Sequence, residues 1–206
     1  MKVIPWILLL SAISASYALA DGEFADGDVF FGFSSLRSND AKTILPYWSL
    51  GGIGTFGFNI NEHVGIEAEF GGYHNGYVDS FHDNTNSVTY LFGPRLSYGR
   101  TKRIDPYLHL LVGGLHTATS VLKQPAPAPL IVGNNSPRFT ESQDGFTVAI
   151  GGGVDIKLNH IVTFRPIQLD YLPTRLGEIG PSGLSHSSFR HNFRYTIGFM
   201  FEITDH

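Results

Sequence analysis

Glu67 and Glu69 lie two residues apart in the stretch VGIEAEFGGY. A carboxylate pair can do acid–base chemistry or hold charge inside a fold, and its neighbours indicate which. Val64, Ile66, Ala68 and Phe70 alternate with Gly65, Glu67, Glu69 and Gly71, and successive strand side chains point to opposite faces. Both acids therefore share one face of a strand whose other face is apolar. A second stretch with chemical potential is SHSSFRHN, which carries His186, Ser187, Ser188 and His191. Nucleophilic catalysis needs a base within hydrogen-bond reach of the hydroxyl and a third group to orient it. His186 and Ser188 share a face if the stretch is extended, but it reads as a loop flank, where serine is common. His109 and His116 are seven apart and so face opposite sides of a strand. The chain contains no HExxH or paired-histidine pattern, and GPSG at Gly180–Gly183 lacks the spacing of a nucleophile elbow. The expectation is no catalytic residue, no metal and no cofactor.

The elements that position these residues are strands. Alternating runs bounded by turn residues predict eight, near 28–36, 47–60, 64–73, 87–100, 106–120, 145–158, 161–172 and 189–203. No segment has helical periodicity. The connections alternate in length. Those at 61–63, 101–105 and 159–160 are short, whereas those at 37–46, 74–86, 121–144 and 173–188 are long, the third of these containing the proline-rich KQPAPAPLIVGNNSPRF. Several strands reach lengths that suit a tilted membrane crossing of about 9–11 residues, while soluble strands cluster near about five or six. Only 16% of the 206 residues are charged, against about 25% in a typical soluble domain. The net charge of −4 and the absence of a basic stripe speak against nucleic acid as a partner.

MKVIPWILLLSAISASYALA combines Lys2, a short apolar run and Ala18-Leu19-Ala20, the pattern of a cleavable signal peptide over 1–20, with 21–206 as one barrel domain. Loss of Lys2 takes the charge from −4 to −5. No cysteine is available for lipid anchoring. No apolar run of helix-spanning length follows, so an exported chain of this kind is either soluble or a barrel in an outer membrane.

Face composition favours the barrel. Val88, Tyr90, Phe92, Pro94, Leu96 and Tyr98 share one parity, and Thr89, Leu91, Gly93, Arg95 and Ser97 share the other. The same division separates Phe146, Val148, Ile150, Val154 and Ile156 from Thr147, Ala149, Gly151, Gly153 and Asp155. It also separates Phe193, Tyr195, Ile197, Phe199, Phe201 and Ile203 from Arg194, Thr196, Gly198, Met200 and Glu202. Large apolar residues face out and small or charged residues face in, the reverse of a soluble barrel. Tyr47, Trp48, Tyr98, Tyr107, Phe199 and Phe201 stand at strand ends, where aromatic belts form. Arg165 and Gln168/Asp170 have opposite parity, and Pro166 between them is suited to a bulge.

The stretches GFNINEHVGIEAEFGG, YLFGPRLSYGR, PYLHLLVGGLH, GGGVDIKLNH and RPIQLDYLPTR together resemble the outer-membrane β-barrel domain family. These are the small OmpA/OmpX-like barrels of Gram-negative bacteria. The resemblance covers nearly all of 25–203. It implies an all-β, eight-stranded antiparallel up-and-down transmembrane barrel in the outer membrane, contacting outer-membrane lipid and lipopolysaccharide and acting as a monomer. Thr196, Gly198, Phe201 and Ile203 resemble the family's C-terminal signal for the barrel-assembly machinery, although here Ile203 is followed by Thr204, Asp205 and His206.

Eight strands enclose room for side chains or one small ligand. Glu67, Glu69, Asp155 and Glu202 nearly balance Arg95, Arg165 and Arg194, and buried charges persist only when paired. The expectation is a lumen filled by a salt-bridge network and a structural or surface-interaction role for the four long loops. A narrow porin-like channel is the alternative. Some small barrels are lipid A deacylases, but their motif is not reproduced in SHSSFRHN.

Overall fold

The computed structural model describes residues 26–38, 47–75, 84–100, 102–122, 138–179 and 185–203. The signal-peptide stretch with Ala18 and Ala20, and the tips of the four longer connections, lie outside the described residues.

Eight strands follow in chain order: β1 (Asp26–Ser38), β2 (Tyr47–Asn59), β3 (Val64–Asn75), β4 (Asn84–Ser97), β5 (Ile104–Leu122), β6 (Arg138–Lys157), β7 (Val162–Ile179) and β8 (Ser185–Ile203). Each pairs antiparallel with the next, and β1 pairs with β8 to close the barrel. Closure removes every free edge around the belt, so its backbone groups are paired strand to strand apart from the bulge in β7, as hydrocarbon requires.

Two of the three short turns use one device. Asn61 Oδ1 accepts the backbone N–H groups of His63 (2.9 Å) and Val64 (2.8 Å). Asn159 Oδ1 accepts those of Ile161 (2.8 Å) and Val162 (2.7 Å). An asparagine side chain thus replaces the backbone acceptor that a tight turn lacks. In the third turn Asp105 accepts the Gly99 N–H at 2.9 Å.

Face assignment follows the alternation. Phe70 is 56% exposed while Glu69 beside it is fully buried, so the apolar face is outside. Phe92, Leu96, Phe146, Phe193 and Ile203 are exposed with it. The interior is mixed. Phe30, Ile53, Tyr73, Leu91 and Leu111 form an apolar cluster within it, which the polar-inside pattern did not anticipate.

The strands differ from expectation at the loop end. There β5 runs to Leu122 and β6 begins at Arg138, while β4 stops early, at Ser97, beside a short turn. β7 and β8 pair as far as Ile179↔Ser185. The two ends of 121–144 and most of 173–188 are therefore hairpin rather than loop. Outward positions there, such as Ser142, Asp144 and Arg175, are exposed and polar, so these rungs lack the apolar alternation by which a strand is recognised. Tyr107 is also placed differently from the aromatic belt expected for it. It is buried in the lumen, because it shares parity with Asp105 and His109 while Leu108 and Leu110 face out.

At Pro166 the register shifts. Ile156 pairs with Phe164 and Val154 with Ile167, leaving Arg165 and Pro166 as extra residues opposite one. The bulge restores inward parity, so Arg165, Gln168 and Asp170 are all buried.

Candidate functional site: a polar plug in the lumen

β6 and β7 deliver the centre of the lower plug. Arg165 on β7 donates to both oxygens of Asp155 on β6, from Nε at 2.7 Å and from Nη2 at 3.0 Å. Arg95 on β4 donates to the same carboxylate and lies 3.6 Å from Asp28 Oδ2 on β1. Asn59 on β2 donates to Asp28 Oδ2 at 3.1 Å. Two guanidiniums this close need dispersal of their charge, and the Tyr107 ring takes part in it. Arg95 and Arg165 stand 4.4 and 4.3 Å from its centroid, and Arg165 also faces Phe30 at 4.3 Å.

Gln168 links the lower plug to the upper. Its carbonyl accepts from Arg165 Nη1 and from the Tyr107 hydroxyl, both at 2.8 Å. Its amide donates to Asp170 at 2.9 Å. Asp170 then accepts from Arg194 Nε on β8 at 2.8 Å, and Arg194 forks onto both oxygens of Glu69 on β3, one at 2.7 Å. Arg194 also reaches the Tyr73 hydroxyl at 3.3 Å. From there the chain passes to Ser34 (3.4 Å) and Thr196 (3.0 Å). One connected polar series thus draws side chains from all eight strands. His109 stands beside it, 2.7 Å from Asp170 and 3.7 Å from Glu67. Both Glu67 oxygens are buried without a hydrogen-bond donor.

Among the sequence-predicted residues, Arg95, Asp155 and Arg165 meet in the lower group, and Glu69 meets Arg194 in the upper. Glu67 lies beside His109 without joining either by a hydrogen bond. Glu202 stands apart at the turn end, half-buried and paired with Lys157 at 2.8 Å. Asp28, Tyr107, His109, Gln168 and Asp170 were not assigned to the network from sequence. Their inward parity was the available signal. Thr196 and Gly198 point into the lumen and Phe201 and Ile203 outward. His191 is exposed and bonds the Tyr171 hydroxyl. His186, Ser187 and Ser188 lie within β8 rather than in a loop flank.

No group of three or more metal-ligating side chains is gathered among the described residues. The arrangement can cross-link strands and fill the bore. It presents neither an activated nucleophile nor a bound cofactor site among those residues.

A closed eight-stranded antiparallel barrel with an apolar exterior and a charged interior is an outer-membrane barrel. The chain belongs to the family described as outer membrane protein beta-barrel domain, which matches residues 6–196, and it resides in the outer membrane with its belt against lipid. Solved structures share the fold. Ail, the attachment invasion locus protein of Yersinia pestis, is 13% identical, with a TM-score of 0.56 over 87% of this chain and 99% of that one. The same protein with the heparin analogue sucrose octasulfate gives 13% identity and a TM-score of 0.55, over the same shares of the two chains. Neisserial surface protein A gives 12% and 0.54, over 85% of this chain and 96% of that one. No curated protein matches the chain.

Proposed function

We propose that the barrel is closed and acts as a surface-interaction protein through its loop end, not as a pore or an enzyme. The observation that supports this is the unbroken polar series from Asn59 to Thr196, which engages every strand and occupies the bore. An eight-stranded barrel has room for that filling and little else.

The β5–β6 and β7–β8 ladders support the interaction role. They continue past the apolar belt to Leu122↔Arg138 and Ile179↔Ser185, so they carry their loops clear of the membrane. The bond between the Tyr171 hydroxyl and His191 Nδ1 supports the non-enzymatic reading, since it occupies one ring nitrogen of a histidine of SHSSFRHN. In this reading Thr196, Gly198, Phe201 and Ile203 serve assembly by the barrel-assembly machinery.

Three measurements test the proposal. Purified full-length protein in a planar bilayer should show no steady conductance, and cells displaying it should bind an immobilised polyanion such as heparin, the first probe suggested by the Ail complex. Binding should fall when residues 124–136 are deleted. Discrete conductance steps would favour the narrow channel. Binding indifferent to the deletion would remove the role of the longest loop. A change in lipid A mass on expression would point to an enzyme.

A further inference from the structure

The lipid-facing side of the barrel carries an open groove of about 800 Å³ centred on β1 and β2, which reaches Phe70 on β3 and Phe164, Ile197 and Phe199 on β7 and β8. Beside Gly52 and Gly54, Phe31 and Phe33 stand on the β1 side and Phe70 on the β3 side, Phe56 follows on β2 toward the turn end, and all four rings are more than half exposed. Its floor is bare backbone at Gly52 and Gly54, with Gly72 paired beside Gly52.

These three glycines have no reason within the chain. At most other positions in the barrel, Gly27 apart, glycine answers close packing: a Cβ at Gly93 would sit 2.0 Å from the Leu110 carbonyl oxygen, and one at Gly51 would sit 1.9 Å from that of Gly72. A Cβ at Gly72 would meet nothing within 4 Å, one at Gly54 nothing nearer than 3.8 Å, and one at Gly52 only the Gly32 oxygen at 3.4 Å. None has a left-handed backbone. Glycine inside a strand weakens it, and commonly marks a place where something outside approaches the backbone.

The residues beyond the groove, past exposed Leu50 toward the loop end, identify the occupant. Moving toward the loop end, the β2 rungs pass from Gly52↔Phe33 through Leu50↔Ser35 to Trp48↔Arg37. Trp48 and Arg37 both face outward, with the guanidinium 5.8 Å from the indole centroid. Among the described residues no carboxylate is paired with Arg37. A cation and an amphipathic ring at the belt's edge match an anionic headgroup. A second barrel fits poorly, because the upright rings on both walls hold another sheet away from the glycine floor. A flexible hydrocarbon chain reaches it.

We propose that this groove is a selective site for one phosphate-bearing lipid of the loop-end leaflet, its acyl chain over Gly54 and Gly52 and its phosphate at Arg37. Binding rests on apolar contact along the groove and one charge contact at its head, and it does not depend on whether the lumen is closed.

Trp48 reports directly on the site. The chain has two tryptophans, so Trp6→Phe leaves it alone. Full-length protein is placed in vesicles containing phosphatidylglycerol or phosphatidylcholine with brominated acyl chains, and Trp48 quenching is followed against mole fraction. Only material with the heat-modifiable gel mobility of a folded barrel is compared. The expected result is about a fivefold preference for the phosphatidylglycerol, the effect of one arginine at an anionic surface. Arg37→Gln should abolish the preference. Gly54→Leu should reduce quenching by both lipids, with Gly72→Leu as the parallel test from β3. Equal quenching by the two headgroups would overturn the proposal, as would a preference that survives Arg37→Gln. Shielding of Trp48 that rises with protein density and ignores the bromine would instead mark contact with a second copy.

Discussion

Arg165 and Asp155 form a two-pronged ion pair across the point where β7 slips against β6. The guanidinium reaches both carboxylate oxygens, at 2.7 and 3.0 Å, from a residue the ladder leaves as an extra between two rungs. The irregularity and the ion pair are one feature, because the bulge brings the arginine into the lumen and the aspartate holds it there.

Removing one partner should therefore be costly. Asp155→Ala leaves Arg95 and Arg165 facing each other in a buried site, and the expected loss of unfolding free energy is about 3–5 kcal/mol. Arg95→Ala should also destabilise, but less, since Arg165 still neutralises Asp155. Urea unfolding in detergent micelles, followed by the mobility shift on unheated gels, measures both. No loss, or a gain, for either variant would remove the stabilising role of the network.

Pro166 gives a sharper test of register. Pro166→Ala keeps the residue count, so the bulge should persist with a change below about 1 kcal/mol. Deleting Pro166 removes the extra residue and leaves Arg165 and Gln168 two apart, so a regular ladder still turns Arg165, Gln168 and Asp170 into the lumen. The deletion should therefore give a heat-modifiable barrel under the conditions where the alanine variant refolds. Failure of the deletion alone would mean that the bulge itself, and not only the shared parity, is needed to seat Arg165 on Asp155.

How much of this was legible in the chain depends on where a residue sits. Between the short turns and the belt's upper edge, lipid outside and polar groups inside impose a period of two, so the facing of Glu67, Phe92 and Arg194 could be read directly. Pro166 announced its bulge because proline cannot donate to a ladder. Tyr107 was assigned by its nearness to a turn, when its parity with His109 was the better guide. Above the belt both faces meet water, the alternation fades, and rungs such as Gly177↔Ser187 leave no mark in the sequence. The partnering of Asp170 with Arg194 and Gln168 depends on which strands lie across the bore, and periodicity along one strand carries no information about that.

The two short asparagine turns offer a local comparison. Asn61→Ala and Asn159→Ala each remove an acceptor for two backbone N–H groups. Water at the membrane edge can replace part of each, so the expected loss is about 1 kcal/mol per turn. The sites lie in different hairpins, so their effects should add. Unfolding of the two single variants and the double variant checks this, and strong non-additivity would indicate that the turns unfold as one unit.

Glu69 and Glu67 should separate most clearly. Both are buried on the same face of β3, but their surroundings differ. Glu69 receives a forked pair of hydrogen bonds from Arg194, and Glu69→Gln replaces one accepting oxygen with a donor pointed at a cation. Its cost should fall near that of a broken buried pair, about 3–5 kcal/mol. Glu67 accepts no hydrogen bond, and its Oε1 lies 3.7 Å from His109 Nδ1. Glu67→Gln therefore breaks no direct bond, and its cost should be about 1 kcal/mol, the scale of a single modest polar contact. The comparison controls for residue type, strand and depth, so a difference in unfolding free energy reports the fork to Arg194. Equal losses would mean that Glu67 contributes through the field of the surrounding charges as much as Glu69 does through its hydrogen bonds.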